Sequence, residues 1–322
     1  MAKLNQKLKL KLKYKDDLFK FILSIFIFGI ILIFITVVAI IIYYSYPAVS
    51  RFGIAFLWTK EWNPPKEIFG AATFIAGTFM VTIIALIFAI PLSLGIGIFL
   101  EEYCPKFLKG FFTIIIEILA GIPSVIFGVW GVLTIVPWLR RDIEPFFEAH
   151  FSNIPFLKVT ENIGYGILAA SIVVAFMVVP IIASITKDAL AAVPKITKDG
   201  ALAMGATRLD VIKDVSLPFS YRGIYGGIIL GFGRAVGETI AVVLLIGNQA
   251  IIPKSIFGVG YTISAMLANT FTFAVISPIY ASSEVALALI LLLISLIVNI
   301  IGRNVLQKVI GGKLSRTQFG GG

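Results

Sequence analysis

The chain has 322 residues, 59% of them hydrophobic and 14% charged, with 27 lysines and arginines against 17 acidic residues for a net charge of +10. A mean hydropathy of +1.01 excludes a soluble domain of this size, because no core could hide that much apolar surface. The positive charge comes without the aromatic-interleaved basic patch that nucleic acid would need, and one cysteine, Cys104, with one histidine, His150, excludes a disulfide framework or a His/Cys zinc site within the chain.

A bilayer core needs about 20 apolar residues per helix. Residues 1–20 hold seven lysines, partly as KLKLKLKYK, and read as a solvated basic tail drawn to anionic headgroups. The first apolar run, Phe21–Tyr43, is too long for a signal peptide, and Tyr43, Tyr44 and Tyr46 stand where small cleavage-site residues would be. It is expected to stay as an uncleaved span, followed to residue 72 by an outer loop marked by Pro47, Pro64 and Pro65. Span two is Thr73–Leu100. Span three, Phe111–Pro137, carries Glu117 about two turns in, roughly 10 Å along the axis, and Pro123 among glycines that bend or pack the helix. Glu117 is a weaker candidate for the transport path: it is placed to partner a charge on span five, to line an inner vestibule, or to satisfy backbone freed by Pro123.

Span four is Ile163–Thr186, and the inner loop 187–222 follows it. This loop is rich in helix formers, broken by Pro194 and Gly205 and stopped at Pro218, with Ala201, Met204, Leu209, Val211 and Ile212 at helical spacings. Two readings remain: a helix pair lying on the membrane surface, or a coupling element docked into a cytoplasmic partner. Span five, Gly223–Gly247, contains two formal charges, Arg234 and Glu238. A charge at the bilayer centre costs roughly 2.5–3.5 kcal/mol on insertion scales and persists where it faces protein or water. Gly227, Gly231, Arg234 and Glu238 are four, three and four residues apart, so on an unbroken helix they share one face and the pair lies along a small-residue seam. Arg before Glu is the poorer order for a self-neutralising i,i+4 pair. The planar guanidinium fork matches an oxyanion, with the carboxylate keeping the local charge from becoming a trap. Ile256–Ile276 is uncharged but polar for lipid contact, and is expected to be an outer or re-entrant segment; span six is Val285–Gly302 and a tail follows over 303–322.

With the N-terminus inside, the inner segments hold 19 of the 27 lysines and arginines, the outer segments 7, and Arg234 is the last. This places both termini in the cytoplasm. The expected fold is an all-α integral membrane protein, a bundle of six spans, with 73–302 as its core.

The inner loop is similar to the EAA motif of ABC-importer permeases: Asp199-Gly200-Ala201, three residues, Gly205, nine residues, Val215-Ser216-Leu217-Pro218, with every spacing kept. Asp for Glu, Gly for Ala and Val for Ile are the departures. Two further runs, Ala120-Gly121-Ile122-Pro123-Ser124 and Gly233-Arg234-Ala235-Val236-Gly237-Glu238-Thr239, resemble the permeases of the phosphate-specific (Pst) importers. The long outer loop and overall length favour the PstC type over the PstA type. The resemblance implies a binding-protein-dependent ABC permease of the type I kind, not itself an enzyme and with no metal or cofactor of its own. It implies Arg234 and Glu238 in phosphate passage, and Asp199, Gly200, Ala201, Gly205, Leu217 and Pro218 in ATPase coupling. Its partners would be a second permease of the PstA type, a dimer of ATP-binding subunits of the PstB type and an extracytoplasmic phosphate-binding protein of the PstS type, in a prokaryotic plasma membrane. ATP belongs to the partner, since the chain has no G-x-x-x-x-G-K-[ST] loop. The alternatives are a permease for sulfate or molybdate, a stand-alone anion channel and a secondary transporter; an intramembrane enzyme lacks its constellation.

Overall fold

The computed structural model describes the backbone of residues 2–159, 161–275 and 277–318, and side chains over 19–304 apart from positions 160, 274 and 276. The described chain is almost wholly helical, with one bridged pair, Asn63 and Ile68, in an outer turn. Helix α1, Ala2–Phe52, carries the basic start and the first span in one run. The boundary at residues 20 and 21 therefore falls inside a helix. Pro47, expected in the outer loop, also lies inside it. The N–H of the next residue, Ala48, donates to Ser282 Oγ at 2.8 Å, tying this part of the first helix to the last one.

Span two is α2, Ala72–Ile98, extended by a π turn, Phe99–Tyr103. Span three is not one helix. Helix α3, Lys106–Gly121, and helix α4, Ser124–Phe151, meet at an angle of 92°. The cause is local: a residue before proline is driven out of the α region, and Ile122 sits at φ −65°, ψ 129°. Span four is α5, Ile167–Ala191, followed by the short α6, Lys195–Ala203.

The inner loop and span five differ from expectation together. Pro218 does not stop the loop. Residues 208–237 form one helical run, α7, made of Arg208–Asp210, a π turn at Val211–Ser216, and Leu217–Gly237. Proline lacks an N–H and clashes with the carbonyl four residues before it; the wider π turn immediately upstream accommodates it. Span five then breaks after Gly237 and resumes as α8, Ile240–Leu245. Among the described residues, four helices are long and apolar enough to cross a membrane unaided, Phe19–Phe52, Ala72–Tyr103, Ile167–Ala191 and Pro278–Asn304. The other two expected spans are the broken ones.

Ile256–Ile276 does not form a span, in keeping with its polarity; its last residue lies outside the described residues. It contains α9, Ile263–Thr270, preceded by irregular chain. That irregular backbone is paired with helix ends: Gly258 O and Ile256 O accept from the N–H groups of Ile167 and Leu168 at 3.0 and 2.8 Å, and Gly260 N–H reaches Ile246 O at 3.1 Å. The last helix, α10, is Pro278–Gln318. It starts before the expected Val285, so Glu284 lies within it, and the boundary at residues 302 and 303 falls inside it. The final four residues of the tail lie outside the described residues.

Helix α5 is the hub, with 78% of its apolar window inside the protein. In lipid, helices associate by close packing and hydrogen bonds rather than by a hydrophobic difference. Both are present. Ser93 of α2 donates to its own Ala89 O and across to Val179 O of α5 at 3.2 Å. Gly223, Gly227 and Gly231 of α7 lie so close to Ala189, Ile185 and Ile182 of α5 that added Cβ atoms would approach to 2.5, 3.1 and 2.7 Å. Helices α1 and α10 turn exposed isoleucines, leucines and phenylalanines outward, as lipid-facing surfaces do.

Gly77 of α2 is packed against main chain: a Cβ there would lie 2.2 Å from Tyr261 O. Gly77→Ala is expected to push α2 from the chain around Tyr261 at a cost of about 1–3 kcal/mol. Gly95→Ala, in the same helix with nothing within 4 Å, should leave stability unchanged or raised. Thermal unfolding of the two purified variants in detergent checks the contrast.

Candidate functional site

Arg234 lies in the last turn of α7, one turn before the break. Glu238 is the first residue beyond the helix, at φ −68°, ψ 128°. The two side chains still meet, Nη2 to Oε2 at 3.5 Å, but unequally: the glutamate side chain is 5% exposed and the arginine 45%. At that length the contact is an ion pair without the 2.7–2.9 Å geometry of a strong charge-assisted hydrogen bond. Most of the five guanidinium N–H donors are therefore left for another acceptor.

The packed seam does not run through Arg234. One turn on from Gly231 the packed position belongs to Ala235, 3% exposed, and Arg234 stands beside it on the open side of the helix. The 3.6-residue turn accounts for this: the fourth residue on lies nearer the packed line than the third. The carbonyl that the break frees, Glu238 O, accepts from Ser264 Oγ of α9 at 2.7 Å. Helices α8 and α4 run parallel: a Cβ on Gly128 would meet Ala241 and Leu244, and one on Gly131 would meet Leu245. The two interrupted spans thus restart side by side.

Glu117 sits on α3, exposed. It makes no ion pair with Arg234 among the described residues, whose partner is Glu238. A further buried carboxylate is absent from the expected site residues. Glu284 is 4% exposed on α10, faces the hydroxyls of Thr270 and Tyr280, and has one oxygen, Oε1, without a hydrogen bond. The signal was present: an acidic residue directly before a long apolar run belongs inside the helix once Pro278 is taken as a helix start.

On the other side of the broken span, Asp199, Gly200 and Ala201 lie on α6, which ends in a Schellman turn. Gly205 N–H donates to Leu202 O at 3.0 Å and Ala206 N–H to Ala201 O at 3.2 Å. Gly205 has φ +91° with open space around it, so backbone freedom rather than crowding demands glycine. Thr207 opens the next helix in a capping box with Asp210. The hydrogen bonds from Thr207 hold the Asp210 carboxyl below its ordinary pKa. The stability this contributes is present above about pH 4 and is lost as pH falls through the lowered value. Lys198 anchors α6 to Glu102 at the end of the second span, at 2.7 Å, and a cavity of about 450 Å³ opens between Glu102, Asp199, Leu202 and Arg208. Ile196, Met204 and Leu209 project from the turn, 82%, 86% and 66% exposed. Leu217 and Pro218 are not in the turn; they lie within α7, past the π turn.

Residues 93–311 match the family of binding-protein-dependent transport system inner membrane components. The chain belongs to this family. It is 42% identical over 268 residues to the phosphate transport system permease protein PstC of Mesorhizobium japonicum, covering 82% of each chain. It is 40% identical over 296 residues to the probable PstC of Methanocaldococcus jannaschii, covering 91% of this chain and 94% of that one. With PstC of Pasteurella multocida the identity is 38% over 289 residues. Among solved structures, a chain of the MetNI methionine ABC transporter in an inward-facing conformation superposes with a TM-score of 0.53 at 18% identity, covering 77% of this chain and 99% of that one. That likeness concerns the fold. The protein is a multi-pass membrane permease subunit of the ABC-importer kind, as the sequence resemblance implied.

Gly205→Val forces a β-branched residue into left-handed backbone, which costs roughly 1–2 kcal/mol. The expected result is about tenfold faster hydrogen exchange at the Ala206 amide. Gly205→Asn, which tolerates that region better, should show a smaller change.

Proposed function

We propose that this chain is the membrane-spanning subunit of an ATP-driven importer of inorganic phosphate, forming half of the translocation pathway and working with a second permease of the PstA type. The observation that carries the reading is Arg234: an arginine 45% exposed at the surface of its own chain, tethered by one loose ion pair beside a break in the apolar layer. A structural charge would be buried and saturated. This one is held ready for an oxygen ligand, and its single long contact keeps the local field from holding an anion too tightly; conduction needs sites that release what they bind. The relatives named as phosphate transport permeases supply the anion. Glu238 is the counter-charge that positions the guanidinium, and Glu117, exposed on α3, lines the inner part of the path.

ATP is bound and hydrolysed by a separate dimer of the PstB type, which docks on the turn around Asp199–Gly205. Support comes from the exposed Ile196, Met204 and Leu209, three apolar side chains on a turn otherwise rich in charge, which a cleft on a partner would cover. An extracytoplasmic binding protein of the PstS type delivers the anion, and both termini face the cytoplasm.

Arg234→Gln removes the fork and the charge but keeps a long polar side chain. Losing charge-assisted contacts is expected to cost roughly 1.5–3 kcal/mol, about ten- to a hundredfold in uptake rate at ~1.4 kcal/mol per decade, with complex yield intact. Uptake is measured with phosphate, sulfate and molybdate in competition, beside yield, for Arg234→Gln, Glu238→Gln and the double variant. Recovery of transport in the double variant would make the pair structural and sink the reading.

The orientation is checked by cysteine labelling at positions 5 and 316 with an impermeant reagent. Both sites should stay unmodified in intact cells and react after permeabilisation.

A further inference from the structure

Helix α4 carries a second arginine site that the mid-membrane pair does not use. Sixteen residues beyond its start at Ser124, about 24 Å along the axis, a π turn, Leu139–Ile143, presents Arg140 and Arg141. Such turns recur at functional positions because they re-aim side chains that a regular helix would space evenly. Both arginines line a pocket of about 500 Å³, walled by Val136, Asn162 and Tyr165.

Neither Asp142 of the same turn nor the buried Glu144 forms an ion pair with them among the described residues. Glu144, one turn on, is 1% exposed, and both its oxygens are occupied by the main-chain N–H of Gly164 at 3.0 Å each. With its amide turned to face the acceptors, Asn162 donates to Glu144 Oε2 at 2.7 Å and to Arg140 O at 2.8 Å. Gly164, at φ +74°, lies where a Cβ would be 2.2 Å from Val136 O. This network clamps the strand of chain 162–165 against α4 and fixes the pocket wall. The field of Glu144 reaches Arg140, yet among the described residues neither guanidinium forms an ion pair or a side-chain hydrogen bond. Two adjacent exposed cations beside a buried, hydrogen-bonded carboxylate, in a pocket that also holds Val136, Asn162 and Tyr165, have no ion-pair partner among the described residues. They also run against the depletion of arginine expected on the outer side.

We propose that the Arg140–Arg141 pocket is a phosphate-group site, with the two guanidinium forks binding the oxygens and Asn162 and Tyr165 forming its wall. That it stands on the outer face rests on the function proposed above. Two sources offer this chemistry: inorganic phosphate before it enters the pathway, or the headgroup phosphate of a surrounding lipid.

The full chain, purified in a sugar-headgroup detergent free of phosphate, is treated with phenylglyoxal and the arginine adducts are read peptide by peptide. Inorganic phosphate is expected to slow modification of Arg140 and Arg141 about tenfold, the factor that one or two charge-assisted contacts supply. Chloride at equal ionic strength should not, and Arg51, already paired with Glu67 at 2.8 Å, is the internal reference. Arg141→Gln should abolish the protection at Arg140. A second arm repeats the labelling in nanodiscs of phosphatidylcholine without added phosphate: protection there but not with inorganic phosphate assigns the site to lipid. Protection in neither arm overturns the proposal, as does equal protection at Arg51. None of these readouts needs uptake, so if wild-type transport of phosphate fails while protection holds, the proposed function falls and the site stands.

Discussion

A helix interrupted inside an apolar layer leaves main-chain groups that no water can satisfy, and this chain interrupts two. That constraint organises the fold. At the fifth span the freed carbonyl of Glu238 is taken by Ser264. At the far end of the short helix that follows, Asn248 Nδ2 donates to Val243 O at 2.7 Å, Gly166 N–H to Leu245 O at 2.9 Å and Gly260 N–H to Ile246 O at 3.1 Å. Gly260, in the irregular chain over 249–262, is thus one partner of the broken helix, and the carbonyls of Ile256 and Gly258 are in turn answered by the start of α5. Removing the break would leave these groups without work; keeping it requires all of them.

The break in turn separates two kinds of residue that an unbroken helix would have superimposed. Upstream, Gly223, Gly227, Gly231 and Ala235 form the line packed against α5. Arg234 falls off that line, and Glu238, beyond the helix end, is free to fold back beneath it. The result is a buried carboxylate under a half-exposed guanidinium, an asymmetry that a continuous i,i+4 pair on a packed face does not produce. Burying both charges would have demanded full hydrogen bonding of each. Exposing one to a path leaves its donors available.

The sequence carried the apolar segments, the helical character of the inner loop with its turn at Gly205, and the contact between Arg234 and Glu238, because each depends on composition or on spacing along the chain. It did not carry the two breaks. Pro123 announced a bend, but its size follows from Ile122 leaving the α region with Gly121 before it, and Pro91 and Pro180 sit inside intact helices with nothing in their own residue type to mark the difference. Gly237 was one glycine among several in its span, and only the position of Ser264, 26 residues beyond Glu238, makes it an end rather than a packing site. Glu284 was lost to a boundary: hydropathy placed the start of the last span at Val285, seven residues after the helix begins at Pro278, since a buried carboxylate in the first turns of a helix looks the same in sequence as one at the interface. Pro218 misled in the other direction, because the π turn that lets a helix run through it has no signature in residue type.

Continuity through Pro218 has a mechanical consequence. The helical run 208–237 begins at the capping box beside Gly205 and ends at Glu238, roughly 45 Å at the helical rise. It is held along its inner length by α5 and at its start by Thr207 and Asp210, while Lys198 fixes the preceding short helix to Glu102. On the proposed function, a displacement at the docking turn therefore reaches the charged pair through one stiff element rather than through a chain of side-chain contacts. A bend of that rod is easiest at the π turn 211–216, where the regular ladder is already interrupted, and at the break after Gly237. Between those two points the glycine line keeps α7 against α5, so the pair moves with the hub. The exposed guanidinium is the part of the rod whose surroundings change most when its tip shifts, because Ala235 and Val236 of the same turn are buried while the Arg234 side chain is left open. On the proposed function, such a site would bind or release according to what faces Arg234, with Glu238 kept in place.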